Sequence, residues 1–288
     1  MHYATSQSIG NTPLLQLGEN LYAKAEYTNL TGSIKDRAAE SMLNEAEIQG
    51  KLRPGSTVIE PTSGNTGISL AALCRARGYR CIIVMPDSMS IERQQLITGY
   101  GAEVVLTPGN LGIAGSVEKA AALSESIPGS LIMGQFENPA NPLAHYRTTG
   151  PEIWEQTGGK VEIFVAGIGT GGTISGIARY LKERCPHILV YGVEPAASPL
   201  LSSGAAGSHG IQGIGANFIP DCLDRSLLDG VIAVSDEDAM ITARGLKHVG
   251  ISAGANVFAA KQLAAQYPQK TVVTVLPDAA DRYASLGL

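Results

Sequence analysis

No run of this sequence is long and apolar enough to span a bilayer, and the opening MHYATSQSIG has no apolar signal core. A cytoplasmic protein is expected. Cysteine is scarce: Cys74, Cys81, Cys185 and Cys222 are scattered without CxxC spacing. That pattern argues for reduced thiols and against both zinc ligation and a disulfide frame. The five histidines are dispersed without ligand spacing, so no metal is expected. Charged residues make up only 16%, and the net charge of −5 argues against nucleic acid or an anionic membrane as main partner. Low-complexity tracts, short-period repeats and charge runs are missing.

Apolar residues and glycine are what the chain has in quantity. Hydrophobic residues make up 44% of its 288 positions, and 34 are glycine. This suits an α/β protein with buried strands and tight βα turns. Short apolar runs at 57–59, 81–85, 103–106, 131–133, 161–166, 188–193, 231–233 and 271–276 predict strands. Helical patterns lie between them. In one, at 33–49, Ile34, Ala38 and Met42 recur every four residues; another covers 236–248. The alternation predicts parallel sheets with right-handed crossovers. Two halves follow. One runs from about 36 to 137; the other joins the N-terminal segment to the chain after 138, with Asn138-Pro139-Ala140-Asn141-Pro142 as a turn-rich crossing point. A cleft between two such units commonly takes a ligand. The stretch 195–220 has no clear periodicity, and unpatterned segments of that length are usually functional or disordered.

The densest chemistry lies in Glu60-Pro61-Thr62-Ser63-Gly64-Asn65-Thr66-Gly67. Hydroxyls and backbone N–H groups gather there before a helix expected near Ile68, a ready site for a carboxylate. Upstream, Lys35 stands at a helix start in Gly32-Ser33-Ile34-Lys35-Asp36-Arg37. The helix dipole lowers its pKa, and a neutral amine can form a Schiff base; the plain alternative is a solvated surface lysine. Gly167-Ile168-Gly169-Thr170-Gly171-Gly172-Thr173 follows a strand and opens a helix at 174–183. It fits a phosphate. It also fits a dinucleotide fingerprint, with Gly167, Gly169 and Gly172 and an acid, Glu194, ending the next strand, or a tight turn with no ligand. Ser252 reads as an N-cap before a helix at 256–266. Gln135 ends a strand, where ligands gather. His145 is expected to pack rather than react.

Taken together these residues resemble the cysteine synthase (O-acetylserine sulfhydrylase) family of fold-type II pyridoxal-phosphate enzymes. The resemblance spans nearly the whole chain. It rests on Gly10-Asn11-Thr12-Pro13-Leu14, Ser33-Ile34-Lys35-Asp36-Arg37, the segment 61–67, Met89-Ser90-Ile91-Glu92-Arg93, Thr149-Gly150-Pro151-Glu152, the segment 169–173 and the segment 211–220. It implies two open-sheet α/β domains of the tryptophan synthase β-like class, with pyridoxal 5'-phosphate in the cleft between them. Residues 1–35 and 138–288 would form the larger, cofactor-anchoring domain, and 36–137 a smaller mobile one.

The resemblance also implies roles. Lys35 would carry the cofactor and act as the base at the substrate Cα. Gly169, Thr170, Gly171, Gly172 and Thr173 would hold its phosphate, Asn65 its ring hydroxyl, and Ser252 would face its pyridine nitrogen. Thr62, Ser63, Gly64, Thr66 and Gln135 would hold the substrate carboxylate. The implied reaction is β-replacement on O-acetyl-L-serine by sulfide, through an aminoacrylate, in a homodimer whose cleft could receive a serine acetyltransferase tail. Two departures stand out: Asn29-Leu30 replaces the usual Asn-Pro, and Asn217 stands where glycine is usual. With Gly215, Asn217 faces the substrate β-carbon in the family, so a cysteine/serine β-replacement or β-elimination is the alternative within the fold. A nicotinamide-dependent oxidoreductase using the 167–172 loop is the alternative outside it. That reading would leave Lys35 and the 62–67 turn without work.

Overall fold

The computed structural model describes residues 9–62 and 64–288. Strands β1 (Leu14–Gln16) and β2 (Leu21–Lys24) form a hairpin ahead of α1 (Lys35–Ile48). Then come β3 (Thr57–Pro61), α2 (Asn65–Arg77), β4 (Arg80–Pro86), α3 (Ile91–Gly99), β5 (Glu103–Thr107), α4 (Gly112–Ser126) and β6 (Leu131–Ile132). The chain continues through α5 (Ala140–Arg147), α6 (Thr149–Gln156), β7 (Ile163–Gly167), α7 (Gly172–Arg184), β8 (Leu189–Pro195) and α8 (Leu200–Ser203). It closes with β9 (Gly230–Val234), α9 (Asp236–Leu246), α10 (Ile251–Gln266) and β10 (Val272–Val275).

Two sheets result. Strands β3 to β6 form a wholly parallel sheet in the order β5-β4-β3-β6. The other six form β1-β2-β10-β7-β8-β9, in which β1 alone runs antiparallel to its neighbour. The last strand in sequence, β10, therefore lies between β2 and β7. Every predicted strand is present. The hairpin β1–β2 was not legible, because β2 reads Leu-Tyr-Ala-Lys and its Lys24 is wholly buried. Two helix starts also move: α2 begins at Asn65 and α10 at Ile251. Ser252 is thus inside the first turn of α10, with Gly250 as N-cap, and the capping role expected for it does not hold.

Helices on both faces make the parallel strands continuously apolar. Met42 and Leu43 of α1 pack with Ile68 and Leu70 of α2 and Ile83 and Met85 of β4. In the larger sheet, α10 lays Ile251, Ala255 and Ala259 on Val165 and Val272, while α7 sets Ile174, Ile177 and Leu181 against Phe164 and Val190. Each large aliphatic side chain so buried contributes about 1.5–3 kcal/mol. A buried ionic cluster ties the hairpin to α1 and α6. Lys24 Nζ lies 2.7 Å from Glu152 Oε2, and Arg37 reaches Glu26 at 2.7 Å and Glu152 at 2.6 Å. Burial alone would raise the Glu152 carboxyl, but Arg37 and Lys24 outweigh it and hold it at about 2. The packing fixes the carboxyl ends of β3, β6, β7 and β10 around one cleft, the usual ligand position in open α/β sheets.

Candidate active site

At the end of β3 the chain turns through Thr62 and Gly64 into α2, with Gly64 N donating to Thr62 Oγ1 at 3.2 Å. Thr66 Oγ1 donates to Gln135 Oε1 at 2.6 Å. So Thr62, Gly64, Thr66 and Gln135 meet; Ser63 lies outside the described residues. Beneath them is Glu60, 0% exposed, to which the sequence reading gave no role. Its carboxylate accepts from Gly134 N at 2.9 Å and Gln135 N at 3.2 Å, fixing the backbone that presents Gln135. Burial outweighs these bonds and pushes Glu60 up to about 8.

The loop after β7 leaves amides open. Gly167 N donates to Asn256 Oδ1 at 2.8 Å and Ile168 N to Val193 O at 2.9 Å. The amides of Gly169, Thr170 and Gly171 have no partner among the described residues. Gly171, at φ +82°, turns the chain left-handed into α7, a conformation other residues adopt at a cost. Asn141, from the segment read as a crossing point, donates to Thr170 Oγ1 at 2.9 Å and to Gln135 O at 2.7 Å. One amide thereby links loop and clamp. His145 packs, as expected, but also places its Nε2 3.3 Å from Thr173 Oγ1 and its Nδ1 2.9 Å from Thr149 Oγ1. Burial, then the charges of Arg37 and Lys35, drives its pKa well below the usual value, so the ring is neutral.

Lys35 is the first residue of α1, half-buried, and its amine makes no hydrogen bond or ion pair among the described residues. Burial lowers its pKa and the charge of Asp278 opposes the shift. Lys35, Asn65, Thr66, Gln135 and Asn217 line one cavity of about 280 Å³. An adjoining cavity runs from Lys35 and Asn65 past Gly171 and Thr173 to Ser252, whose hydroxyl has no hydrogen-bond partner among the described residues. Asn65 is gripped from the C-terminal side: its Nδ2 donates to Asp278 Oδ2 at 2.7 Å, and its Oδ1 accepts from Arg282 Nη1 at 2.9 Å. At the opposite wall Gly215 and Asn217 have φ +68° and +64°. Asn217 Oδ1 accepts from Ser198 Oγ at 2.7 Å, leaving its amide hydrogens free. Arg93 bonds Gln212 across the cleft and lies 4.9 Å over the Tyr283 ring. Arg93 was named only as part of the 89–93 motif, with no role, and Asp278 did not announce itself in the sequence.

Glu194 is not placed for a ribose. Its carboxylate accepts from Leu201 N at 2.7 Å, Ser202 N at 3.1 Å and Ser202 Oγ, so it caps α8. Among the described residues no three His, Cys, Asp or Glu side chains converge to hold a metal, and no helix is long and apolar enough to cross a membrane.

A lysine amine with no partner among the described residues, three open loop amides at a helix start and a group of hydroxyls line two adjoining cavities that share Lys35 and Thr170. That set suits an aldehyde-bearing phosphate together with an amino acid. The sequence profile of the pyridoxal-phosphate dependent enzymes matches residues 5–278. The chain belongs to that family. Pyridoxal phosphate is its cofactor, and the open amides and free amine fit it. Among relatives, cysteine synthase B of Campylobacter jejuni subsp. jejuni is 50% identical over 100% of this chain and 99% of its own length. Among solved structures, a hydrogen sulfide-producing enzyme of Fusobacterium nucleatum superposes with a TM-score of 0.94 at 41% identity, covering 98% of this chain and 100% of that one. A cysteine synthase of Entamoeba histolytica gives 0.93 at 38% identity, with 99% and 90% covered.

Proposed function

We propose that the chain catalyses β-replacement on an activated serine, with L-cysteine formation from O-acetyl-L-serine and sulfide as its reaction. The observation that carries this reading is a pair of adjoining cavities that share Lys35, Asn65, Gly169 and Thr170, one reaching Thr62, Thr66 and Gln135 and the other Ser252. The cysteine synthases among its relatives support the choice of substrates. Bound pyridoxal phosphate supplies an electrophilic carbon for amines and an electron sink for bonds broken at Cα.

The protein's residues do the rest. Gly169, Thr170, Gly171, Gly172 and Thr173 hold the phosphate, with His145 and Asn141 setting the two threonine hydroxyls. Asn65 would hold the ring hydroxyl. Ser252 would face the pyridine nitrogen with a neutral hydroxyl, which would not enforce a ring proton as a carboxylate would and so would favour loss of a β-substituent. Thr62, Ser63, Gly64, Thr66 and Gln135 orient the substrate carboxylate. Lys35, once its amine is free, takes the Cα proton and holds it at Nζ while the β-substituent leaves. Gly215 and Asn217 line the β-carbon side.

The same reading divides the chain into a cofactor-anchoring unit, 1–35 with 138–288, and a smaller unit, 36–137, that closes over substrate. It also makes the enzyme a cytoplasmic homodimer able to take a serine acetyltransferase tail. Four free thiols support the reducing compartment. Asn217 favours a second reading, release of sulfide from cysteine, since its free amide hydrogens can hold a water at the β-carbon. The test is absorbance and product analysis of the cofactor-loaded protein. O-acetylserine must bleach the visible band, sulfide must restore it, and cysteine must appear, with none of this in Lys35→Ala. A protein inert to O-acetylserine that converts cysteine to serine and sulfide would replace the first reading with the second. A visible band surviving in Lys35→Ala would overturn both.

A further inference from the structure

Asp278 follows β10 and is 1% exposed. One of its oxygens is fully engaged: Oδ2 accepts from Asn65 Nδ2 at 2.7 Å and from the Tyr283 hydroxyl at 2.6 Å. The other, Oδ1, is buried without a hydrogen-bond partner among the described residues. A buried carboxylate oxygen without a donor is costly and calls for another source of positive potential. Two sources adjoin it. Oδ1 lies against Gly250, the N-cap of α10, where any Cβ would collide with it, and a helix start carries partial positive charge. The second is the charge of Lys35, two residues on from a backbone bridge to Asp278. Ser33 pairs with Asp278 in an isolated bridge, and Ile34 N donates to Pro277 O at 2.8 Å. Asp278 is therefore locked to the backbone immediately ahead of Lys35. Asn65, which grips Oδ2, lines the same cavity as the lysine.

We propose that Asp278 is a positioning residue for Lys35: its fixed carboxylate is the counter-charge that holds positive charge on the lysine nitrogen at the start of α1. A cation there faces the dipole of its own helix and loses water on burial. Asp278 supplies the charge that opposes this. The remaining charged groups nearby are committed elsewhere. Asp36 accepts from Thr31, Arg282 is bonded to Asn65 and Thr31, Arg93 stacks on Tyr283, and His145 is neutral. Lys35 must accept a proton from Cα and later return it, so a counter-charge fixed by two hydrogen bonds sets how strong a base it is.

The inference rests on Lys35 being the cofactor-bearing amine, and the experiment separates the two. The visible absorption of the cofactor-loaded enzyme is titrated against pH for wild type, Asp278→Asn, Asp278→Ser and Tyr283→Phe. Both charge-free variants should lower the midpoint by at least about one pH unit, a tenfold change in protonated fraction. They should also reduce kcat about tenfold with KM within about twofold. Tyr283→Phe keeps the charge and should move the midpoint less than a third as far. Midpoints unchanged in the folded charge-free variants would overturn the proposal, as would a Tyr283→Phe shift equal to theirs. A visible band that persists in Lys35→Ala would instead refute the assignment of Lys35.

Discussion

Replacing Glu60 by glutamine tests how the carboxylate clamp is supported. Burial raises this carboxyl from 4.5 to about 8. At about 1.4 kcal/mol per pH unit, the folded protein carries an ionised Glu60 at a cost of about 5 kcal/mol relative to the unfolded chain. The sign follows from proton binding. Between pH 4.5 and about 8 the folded state holds a proton that the unfolded state has lost, so this group's contribution is complete below 4.5 and declines as pH rises through that window. A glutamine side chain would not ionise, which removes the decline. It would also replace one of the two oxygens that accept from Gly134 N at 2.9 Å and Gln135 N at 3.2 Å by an NH₂, losing an acceptor worth about 1–3 kcal/mol. Glu60→Gln should therefore be the less stable protein near pH 5 and the more stable one above pH 8. The assay is the unfolding free energy of both proteins in denaturant across that range, with KM for the amino-acid substrate measured alongside. A stability difference that stays constant with pH would refute the reasoning.

Three further outcomes follow from the geometry. Arg37→Met strands Glu26 and leaves Glu152 with Lys24 as its remaining cation, and should cost about 3–5 kcal/mol in a denaturant titration. Because Arg37 and Lys24 hold Glu152 at about 2, its contribution is present above 4.5 and lost as pH falls through about 2; that part of the acid sensitivity should shrink in Arg37→Met. Gly171→Ala places a Cβ 2.6 Å from that of Leu223 at φ +82°, so about 1–3 kcal/mol of strain should appear as weaker pyridoxal phosphate binding in a spectral titration. His145→Phe removes the partner of Thr173 and should lower cofactor affinity about tenfold in the same titration, while the fold, followed by circular dichroism, is kept.

Much of this was legible in the sequence for identifiable reasons. Parallel strands buried on both faces read as unbroken Val/Ile runs, so 81–85 and 161–166 could not be missed. Lys35, the 62–67 turn and the 167–173 loop are local motifs, each complete within a few residues. What escaped notice depends on distant partners. β2 looks polar because Lys24 needs Glu152, and Asp278 means nothing until Asn65 and Tyr283 surround it. Glu60 and Asn141 look like ordinary polar residues, yet each orders backbone or hydroxyl groups on another element. The start of α10 was set five residues late because Gly250-Ile251-Ser252-Ala253-Gly254 has the composition of a turn, while burial against α9 and β7 makes it helix.

The place of β10 has a bearing on how the chain is made. The four-stranded sheet is drawn from one continuous stretch, 57–132, and can assemble as soon as that stretch has left the ribosome. The six-stranded sheet cannot. Its first hairpin has to wait, one edge open, until residues 272–275 arrive to fill the gap beside β7. A nascent chain halted before that point would hold one finished half and two unpaired strand edges, the kind of surface that chaperones bind and aggregates recruit.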